Sequence, residues 1–244
     1  MTDRPIYAIG DIHGQIDMLH AALQRIDADG GHNANIVFLG DLVDRGPGSR
    51  SVIELLRLGQ EQGRNWTVLR GNHDQLFLDF LSGGPMMSPM IKSRLSWLHP
   101  RIGGAETLAS YGVAANDAHP QRDEAVAAVP RSHVDWLSTL PYWHETPELL
   151  FVHGGIRPEV ALHDQKPEDL MWIRDPFFAH TGPHPWLVVH GHTALETPTH
   201  FGNRIDLDSG AGYGRPLTAA VFEGTQCWVL EDNGRRALRP ENRL

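Results

Sequence analysis

Cysteine is what this sequence has least of: a single one, Cys227, in 244 residues. One thiol cannot close an internal disulfide or build a thiolate zinc site, so a reducing compartment is expected, with the cytoplasm as the location. Long apolar runs are missing as well. Nothing approaches the ~20 residues that a spanning helix needs, and no apolar leader stretch follows Thr2-Asp3-Arg4-Pro5, so no membrane partner is expected. Clustered cations are absent too. With a formal net charge of −9 and no Lys/Arg run, the chain offers no phosphate-tracking stripe, and nucleic acid is not an expected partner. Internal repeats and low-complexity segments are absent, and the length suits one domain (1–244), with room for a sizeable insertion.

Histidine, by contrast, is plentiful, with fifteen copies. Most, such as His20, His32, His99 and His163, sit in polar surroundings and read as surface residues. The informative ones fall at the ends of apolar runs. Ile6-Tyr7-Ala8-Ile9 has strand character and stops at Gly10-Asp11-Ile12-His13-Gly14. Taken alone, an Asp-x-His pair also fits a turn aspartate that caps the next helix. Ile16, Leu19, Leu23 and Ile26 then recur at helical spacing, closed by Gly30-Gly31.

The same unit comes twice more. A strand over residues 35–39 ends at Gly40-Asp41-Leu42-Val43-Asp44-Arg45-Gly46-Pro47, and Gly48-Ser49 opens a second helix. A strand over 66–69 ends at Arg70-Gly71-Asn72-His73-Asp74, with a helix expected over 75–81. Strand–turn–helix alternation implies parallel strands with right-handed crossovers, so the three polar turns converge on one edge of a buried sheet.

From Gly83 to about Pro147 the pattern changes to short amphipathic pieces over 93–98, 105–111, 122–129 and 132–140, with Ser132 and Asp135 spaced as a capping box. This stretch reads as a mostly helical insertion (83–147) that could roof the site. Strands are then expected over 149–152, ending at His153-Gly154-Gly155, and over 186–189, ending at His190-Gly191-His192-Thr193. Three more, over 204–207, 217–222 and 226–230, read as antiparallel strands joined by glycine turns, and 234–244 as a polar, frayed tail.

Five strand ends therefore present Asp11, His13, Asp41, Asn72, His153 and His192. Carboxylate, amide and imidazole donors without thiolate suit borderline divalent ions. Six donors exceed what one ion with open positions takes, and they fit two ions about 3.5–4 Å apart, sharing one carboxylate. Such a centre stays positive and attracts an anionic substrate.

The three early motifs, together with His153-Gly154-Gly155 and Gly191-His192-Thr193, resemble the signature of the phosphoprotein phosphatase branch of the calcineurin-like metallophosphoesterases, and look most similar to small bacterial and phage serine/threonine phosphatases. The resemblance covers almost the whole chain. It implies an α/β fold of α-β-β-α type: central mixed sheets flanked by helices, with a dinuclear metal site at the strand C-terminal ends. It puts Asp11 and His13 on a first metal, Asp41 as the bridge, and Asn72, His153 and His192 on a second. Asp44 and His73 would form an acid pair, and Arg45 and Arg174 would grip the phosphate. The implied cofactors are two divalent ions, Mn2+ first, with Fe2+ or Zn2+ as alternatives. The implied reaction is hydrolysis of phosphoserine/phosphothreonine-type phosphomonoesters in a phosphorylated protein or a small phosphorylated substrate, by direct attack of a metal-bridging hydroxide.

Ala194 stands where other metallophosphoesterases carry a last histidine, which disfavours phosphodiesterase relatives. Asp74 is shared with the dinucleoside-polyphosphate hydrolases, but these typically carry alanine where this chain has Asp44. The alternative function is hydrolysis of dinucleoside polyphosphates (Ap4A-type) or another small phosphometabolite, with Trp97 or Trp143 stacking on a base. A catalytically dead metal-binding module is the reading from another class, and it would show a lost ligand or acid. Tyr213 could line the site or be a plain turn aromatic, and His190 is read as a strand-end histidine without a metal role.

Overall fold

The structure, a computed structural model, describes residues 4–91 and 93–240. The elements run β1 (Ile6–Ile9), α1 (Ile16–Gly30), β2 (Asn35–Phe38), α2 (Ser49–Glu61), β3 (Trp66–Val68) and α3 (Asn72–Leu81). The middle of the chain adds α4 (Gly104–Ser110), α5 (Arg122–Ala128), α6 (Arg131–Thr139), β4 (Trp143–Glu145), β5 (Leu149–Val152) and α7 (Pro167–Trp172). The last part holds β6 (Leu187–His190), β7 (Thr199–His200), β8 (Arg204–Asp206), β9 (Ala219–Glu223), β10 (Gln226–Glu231) and β11 (Gly234–Leu238). None of the described helices is long and apolar enough to cross a membrane.

Two mixed sheets result, with strand orders β11-β10-β9-β1-β2-β3 and β4-β5-β6-β8-β7. β1, β2 and β3 are parallel, as the alternation required. The period-two geometry of a strand then sorts side chains into layers. Ala8, Val37, Leu149, Phe151, Val189 and Phe222 meet between the sheets. Tyr7, Ile9, Phe38 and Val68 face the other way, onto Leu19, Ile53 and Phe77 of the first three helices. Leu150, Val152 and Val188 cover the outer face of the second sheet and pack on Leu170 of α7. Both faces of each sheet are buried, which is why these strands read as continuous apolar runs. The mixed α/β architecture with two sheets flanked by helices is the one expected.

Several local expectations are corrected. Residues 93–98 form no helix. Ser96 Oγ accepts from the Leu98 N–H instead, and Trp97 N donates to Met86 O at 2.7 Å, which folds the indole into the core. Helix α6 starts at Arg131 behind Pro130 with no side-chain cap, and Asp135 pairs with Arg131, so Ser132 caps nothing. Helix α3 begins at Asn72 rather than residue 75, because Asp74 Oδ2 accepts from the Gly71 N–H at 2.9 Å. Strand β8 runs parallel to β6 in the second sheet, not antiparallel beside β9, since Ile205 is needed to close the layer between the sheets. The tail expected to fray forms edge strand β11 over 234–238, paired with β10 and tied down by Arg235 to Asp29 and Glu223. Residues 241–244 lie outside the described ones. β4 and β7, too short to announce themselves, close the rims of the second sheet.

Candidate active site

The strand-end motifs gather their side chains at one place. β1 delivers Asp11 and His13, β2 delivers Asp41, and the first turn of α3 after β3 delivers Asn72 and His73. His153 follows β5 and His192 follows β6. The backbone is bent hard here. Of eight non-glycine residues with positive φ among those described, five are His13, Asp41, Asp44, Arg45 and His192. Each is held in a left-handed conformation that costs free energy, and such outliers gather where function demands a placement the chain would not choose.

Hydrogen bonds to the backbone decide which imidazole nitrogens face inward. His13 Nδ1 lies 2.8 Å from Val43 O and His153 Nδ1 lies 2.9 Å from Leu39 O. A carbonyl oxygen only accepts, so both Nδ1 atoms carry the proton and both Nε2 atoms present a lone pair to the cleft. His153 Nε2 then stands 2.9 Å from Asn72 Oδ1 and 3.4 Å from Asp41 Oδ1, acceptor against acceptor. His192 Nδ1 approaches the same Asn72 Oδ1 at 2.7 Å, and His13 Nε2 faces Asp41 Oδ2 at 3.6 Å.

Lone pairs converging in a buried place repel unless a cation lies among them, so these residues fit divalent ions by their chemistry. Two groups have ligand atoms within 4.8 Å of one another, His13/Asp41/His73 and Asp41/His153/His192, and Asp41 belongs to both. Asp11 stands outside both groups. Its carboxylate accepts from the His192 N–H at 3.0 Å, and Gly191 permits that approach, since a Cβ there would lie 2.1 Å from Asp11 Oδ1. Burial, then the charges of Asp208, Asp41 and Asp206, push Asp11 well above the usual carboxylate range. Burial likewise holds His13 and His192 well below the usual imidazole value.

His73 Nδ1 meets Asp44 Oδ2 at 2.6 Å, leaving Nε2 toward the cleft. The Asp44 carboxylate also accepts from Trp97 Nε1 at 2.8 Å and Thr107 Oγ1 at 2.7 Å. Burial pushes Asp44 up to about 7, against those two hydrogen bonds, and pushes His73 down to about 3. Burial therefore favours the neutral form of each partner, while the donors around Asp44 keep it an acceptor for the imidazole. Arg45 spreads its guanidinium over both rings, with one NH2 group donating to His13 Nε2 and the other to His73 Nε2 at 3.1 Å. It also lies over the Tyr213 ring, 4.6 Å from the centroid. Arg174 is exposed and lines the same cleft of about 560 Å³, as does Tyr213.

Of the sequence-predicted site residues, Asp41, Arg45, Asn72, His73, Arg174 and His192 line this cleft, while Asp11, His13, Asp44 and His153 are buried in contact with them. The structure also supplies partners that the sequence reading missed. Trp97 and Thr107 anchor Asp44 from the segment after residue 83, and Met90, Ile91 and Ile102 of that segment line the cleft. Asp206 and Asp208 are buried beside it, and their place at the end of β8, like the other strand ends, was the signal that could have found them. Trp172 stands edge-on to His192 at 5.9 Å. His190 is buried against Gly191 O and Asp206, outside both metal-capable groups. The stacking role considered for Trp97 and Trp143 is corrected: Trp97 is 1 % exposed with its indole spent on Asp44, and Trp143 packs on the outer face of the second sheet.

A family model described as calcineurin-like phosphoesterase matches residues 4–222. Serine/threonine-protein phosphatase 1 of Salmonella typhimurium is 29% identical over 229 residues, covering 90% of this chain and 93% of the relative. The asymmetrical bis(5'-nucleosyl)-tetraphosphatase PrpE of Bacillus subtilis is 27% identical over 238 residues, covering 88% of this chain and 89% of the relative. Among solved structures, a cold-active protein-tyrosine phosphatase of a Shewanella species superposes with a TM-score of 0.64 at 19% identity, covering 98% of this chain and 83% of that one, a likeness of fold alone.

Proposed function

The chain belongs to the calcineurin-like phosphoesterases, and we propose that within this family of metal-dependent phosphohydrolases it cleaves phosphomonoesters of the phosphoserine and phosphothreonine type. One observation carries that reading: the 2.6 Å contact of His73 Nδ1 with Asp44, which turns Nε2 toward the cleft, where Arg45 is its neighbour. An alkoxide is a poor leaving group and needs a proton as it departs, whereas a nucleotide phosphate leaves with little help. A buried, oriented imidazole is the group that supplies such a proton.

His13, Asp41, Asn72, His153 and His192, with Asp11 beside them, are the residues that would hold two divalent ions, Mn2+ first and Fe2+ or Zn2+ as alternatives. Such ions supply Lewis acidity toward phosphoryl oxygens and lower the pKa of water. The rest of the work falls to the chain. Arg45 and Arg174 would grip the equatorial phosphoryl oxygens with fork-shaped donors that need no proton exchange. Asp44 would hold the His73 ring through Nδ1 and offset the charge that the ring gains when Nε2 takes a proton from solvent, the proton it then gives to the departing oxygen. The apolar contribution of Met90, Ile91 and Ile102 to the lining suits the organic part of the ester. The single cysteine, buried, fits a reducing compartment, and the cytoplasm is the proposed location.

The test is metal-stripped protein reloaded ion by ion and assayed side by side on phosphoserine peptides and dinucleoside tetraphosphates. Peptide cleavage that exceeds nucleotide cleavage supports the reading. A reversed preference of more than about tenfold, 1.4 kcal/mol of transition-state discrimination, overturns it.

A further inference from the structure

The cleft is lined by more arginines than one phosphoryl group needs, with Asp41 and Asp208 as the carboxylates among them. A third arginine, Arg215, lines it together with Arg45 and Arg174. Several arginines elsewhere in the molecule meet carboxylates, Arg25 with Asp232, Arg57 with Glu54, Arg157 with Asp169 and Arg235 with Asp29, while others such as Arg70 and Arg122 bond to neutral protein oxygens. Among the described residues none of the three cleft arginines has such an ion pair. Asp208, which shares the lining, spends Oδ1 on the Gly210 N–H at 2.9 Å.

Arg215 is seated rather than loose. Its guanidinium lies flat on Gly210, a residue at φ 83°, where an added Cβ would come within 2.1 Å of the terminal nitrogen. The Arg215 N–H donates to Gly210 O at 3.3 Å, closing the turn. The guanidinium carbon stands 6.0 Å from the centroid of Tyr213, the ring on which Arg45 lies at 4.6 Å. Two cations thus share one exposed aromatic ring at the mouth of the cleft, one deep beside His13 and His73 and one farther along the 210–215 turn. Like charges held this close gain further from anions on a ligand.

We infer that Arg215 reads a second anionic group, a carboxylate or a phosphate, lying next to the phosphoryl group that is hydrolysed. The favoured substrates are then phosphomonoesters with an acidic neighbour, such as a phosphoserine peptide carrying Asp, Glu or a second phosphorylated residue beside the target. This rests on the phosphomonoesterase reading. The rim adds to the case for a peptide. Met90, 40 % exposed, provides a soft apolar surface that adapts to varied side chains, with the buried Ile91 beside it in the lining.

The experiment compares kcat/KM for two phosphoserine peptides that differ only in Glu against Gln beside the phosphoserine, on wild-type protein, Arg215→Gln and Arg215→Lys. Taking the ratio within each protein cancels differences in folded or metal-loaded fraction. About a tenfold preference for the acidic peptide is expected in wild type, the size of one charge-assisted hydrogen bond. It should fall below about twofold in Arg215→Gln and return in part in Arg215→Lys. A ratio unchanged by Arg215→Gln overturns the inference. A second readout needs no turnover of peptide: the inhibition constants of methylphosphonate and 3-phosphonopropionate against an aryl phosphate. The carboxylate of the second compound should tighten inhibition in wild type and not in Arg215→Gln. If neither peptide is cleaved, the phosphoprotein reading fails, while this pair still decides whether Arg215 binds a second anion. If that pair is not distinguished by wild type, the inference falls.

Discussion

Trp97 donates a 2.8 Å hydrogen bond from Nε1 to Asp44 Oδ2, the same oxygen that holds His73. The segment after residue 83 therefore reaches under the cleft and sets the carboxylate on which the imidazole depends. Trp97→Phe keeps most of the packing against Phe77 and Phe80 and removes that donor. Asp44 is already raised to about 7 by burial, opposed by Thr107 and Trp97. Losing one opposing bond destabilises the ionised form, so the pKa climbs further. The Asp44 carboxylate that His73 needs then forms only at higher pH, and the acid limb of the kcat profile moves up. A shift of about one pH unit is expected for a lost hydrogen bond to a charged group. A pH–rate profile on a phosphoserine peptide checks it, and an acid limb that stays in place would show that Trp97 only packs.

Asp41 is the one carboxylate common to both metal-capable groups. Asp41→Asn removes a charge from the point where the lone pairs of His13 and His153 converge, so bound metal should fall markedly. Metal analysis of freshly purified protein checks this. Two retained equivalents with normal activity would remove Asp41 from the shared position.

His73→Asn should leave metal content near wild type and lower kcat on alkyl phosphomonoesters by roughly 10²–10⁴-fold, the range for a lost general acid. The loss should shrink for nitrophenyl phosphate, whose leaving group needs little protonation. Because His73 also falls in one of the metal-capable groups, metal analysis must accompany the kinetics. Equal losses on both substrates with metal intact would contradict the acid role.

Arg45 and Arg174 part company in the structure. Arg45 is packed between the two imidazoles and Tyr213, while Arg174 is exposed on the wall. Arg45→Ala should weaken inorganic phosphate inhibition by about tenfold or more, and Arg174→Ala by less, with metals retained in both. Lysine should rescue each only in part, because a point charge cannot make the two-pronged contact. The phosphate inhibition constant, taken with a melting curve, decides. If Arg174→Ala melts early yet binds phosphate like wild type, Arg174 is structural.

Much of the fold and site was legible along the chain because the signals were local. The apolar runs before Asp11, Asp41, Asn72, His153 and His192, and the glycines bounding them, place each polar group at a strand end within a few residues. Parallel strands then force those ends together whatever lies between them. Short or polar elements were not legible. β4, β7 and β11 carry no apolar alternation and exist because a neighbouring edge offers them hydrogen bonds.

What the sequence determined by itself was which polar side chains stand at the strand ends and the layered α/β frame, since turn chemistry and period are properties of contiguous residues. The tertiary structure alone decided how those residues are tuned. Asp44 takes its donors from Trp97 and Thr107, 53 and 63 residues away, and Asp74 reaches across 32 residues to the Leu42 N–H. Arg45 and Arg215 share Tyr213 only because the 210–215 turn folds over the end of β1 and β2. No periodicity encodes these meetings. They follow from the packing of two sheets and one covering segment, where side-chain volume, desolvation and hydrogen-bond satisfaction are settled together.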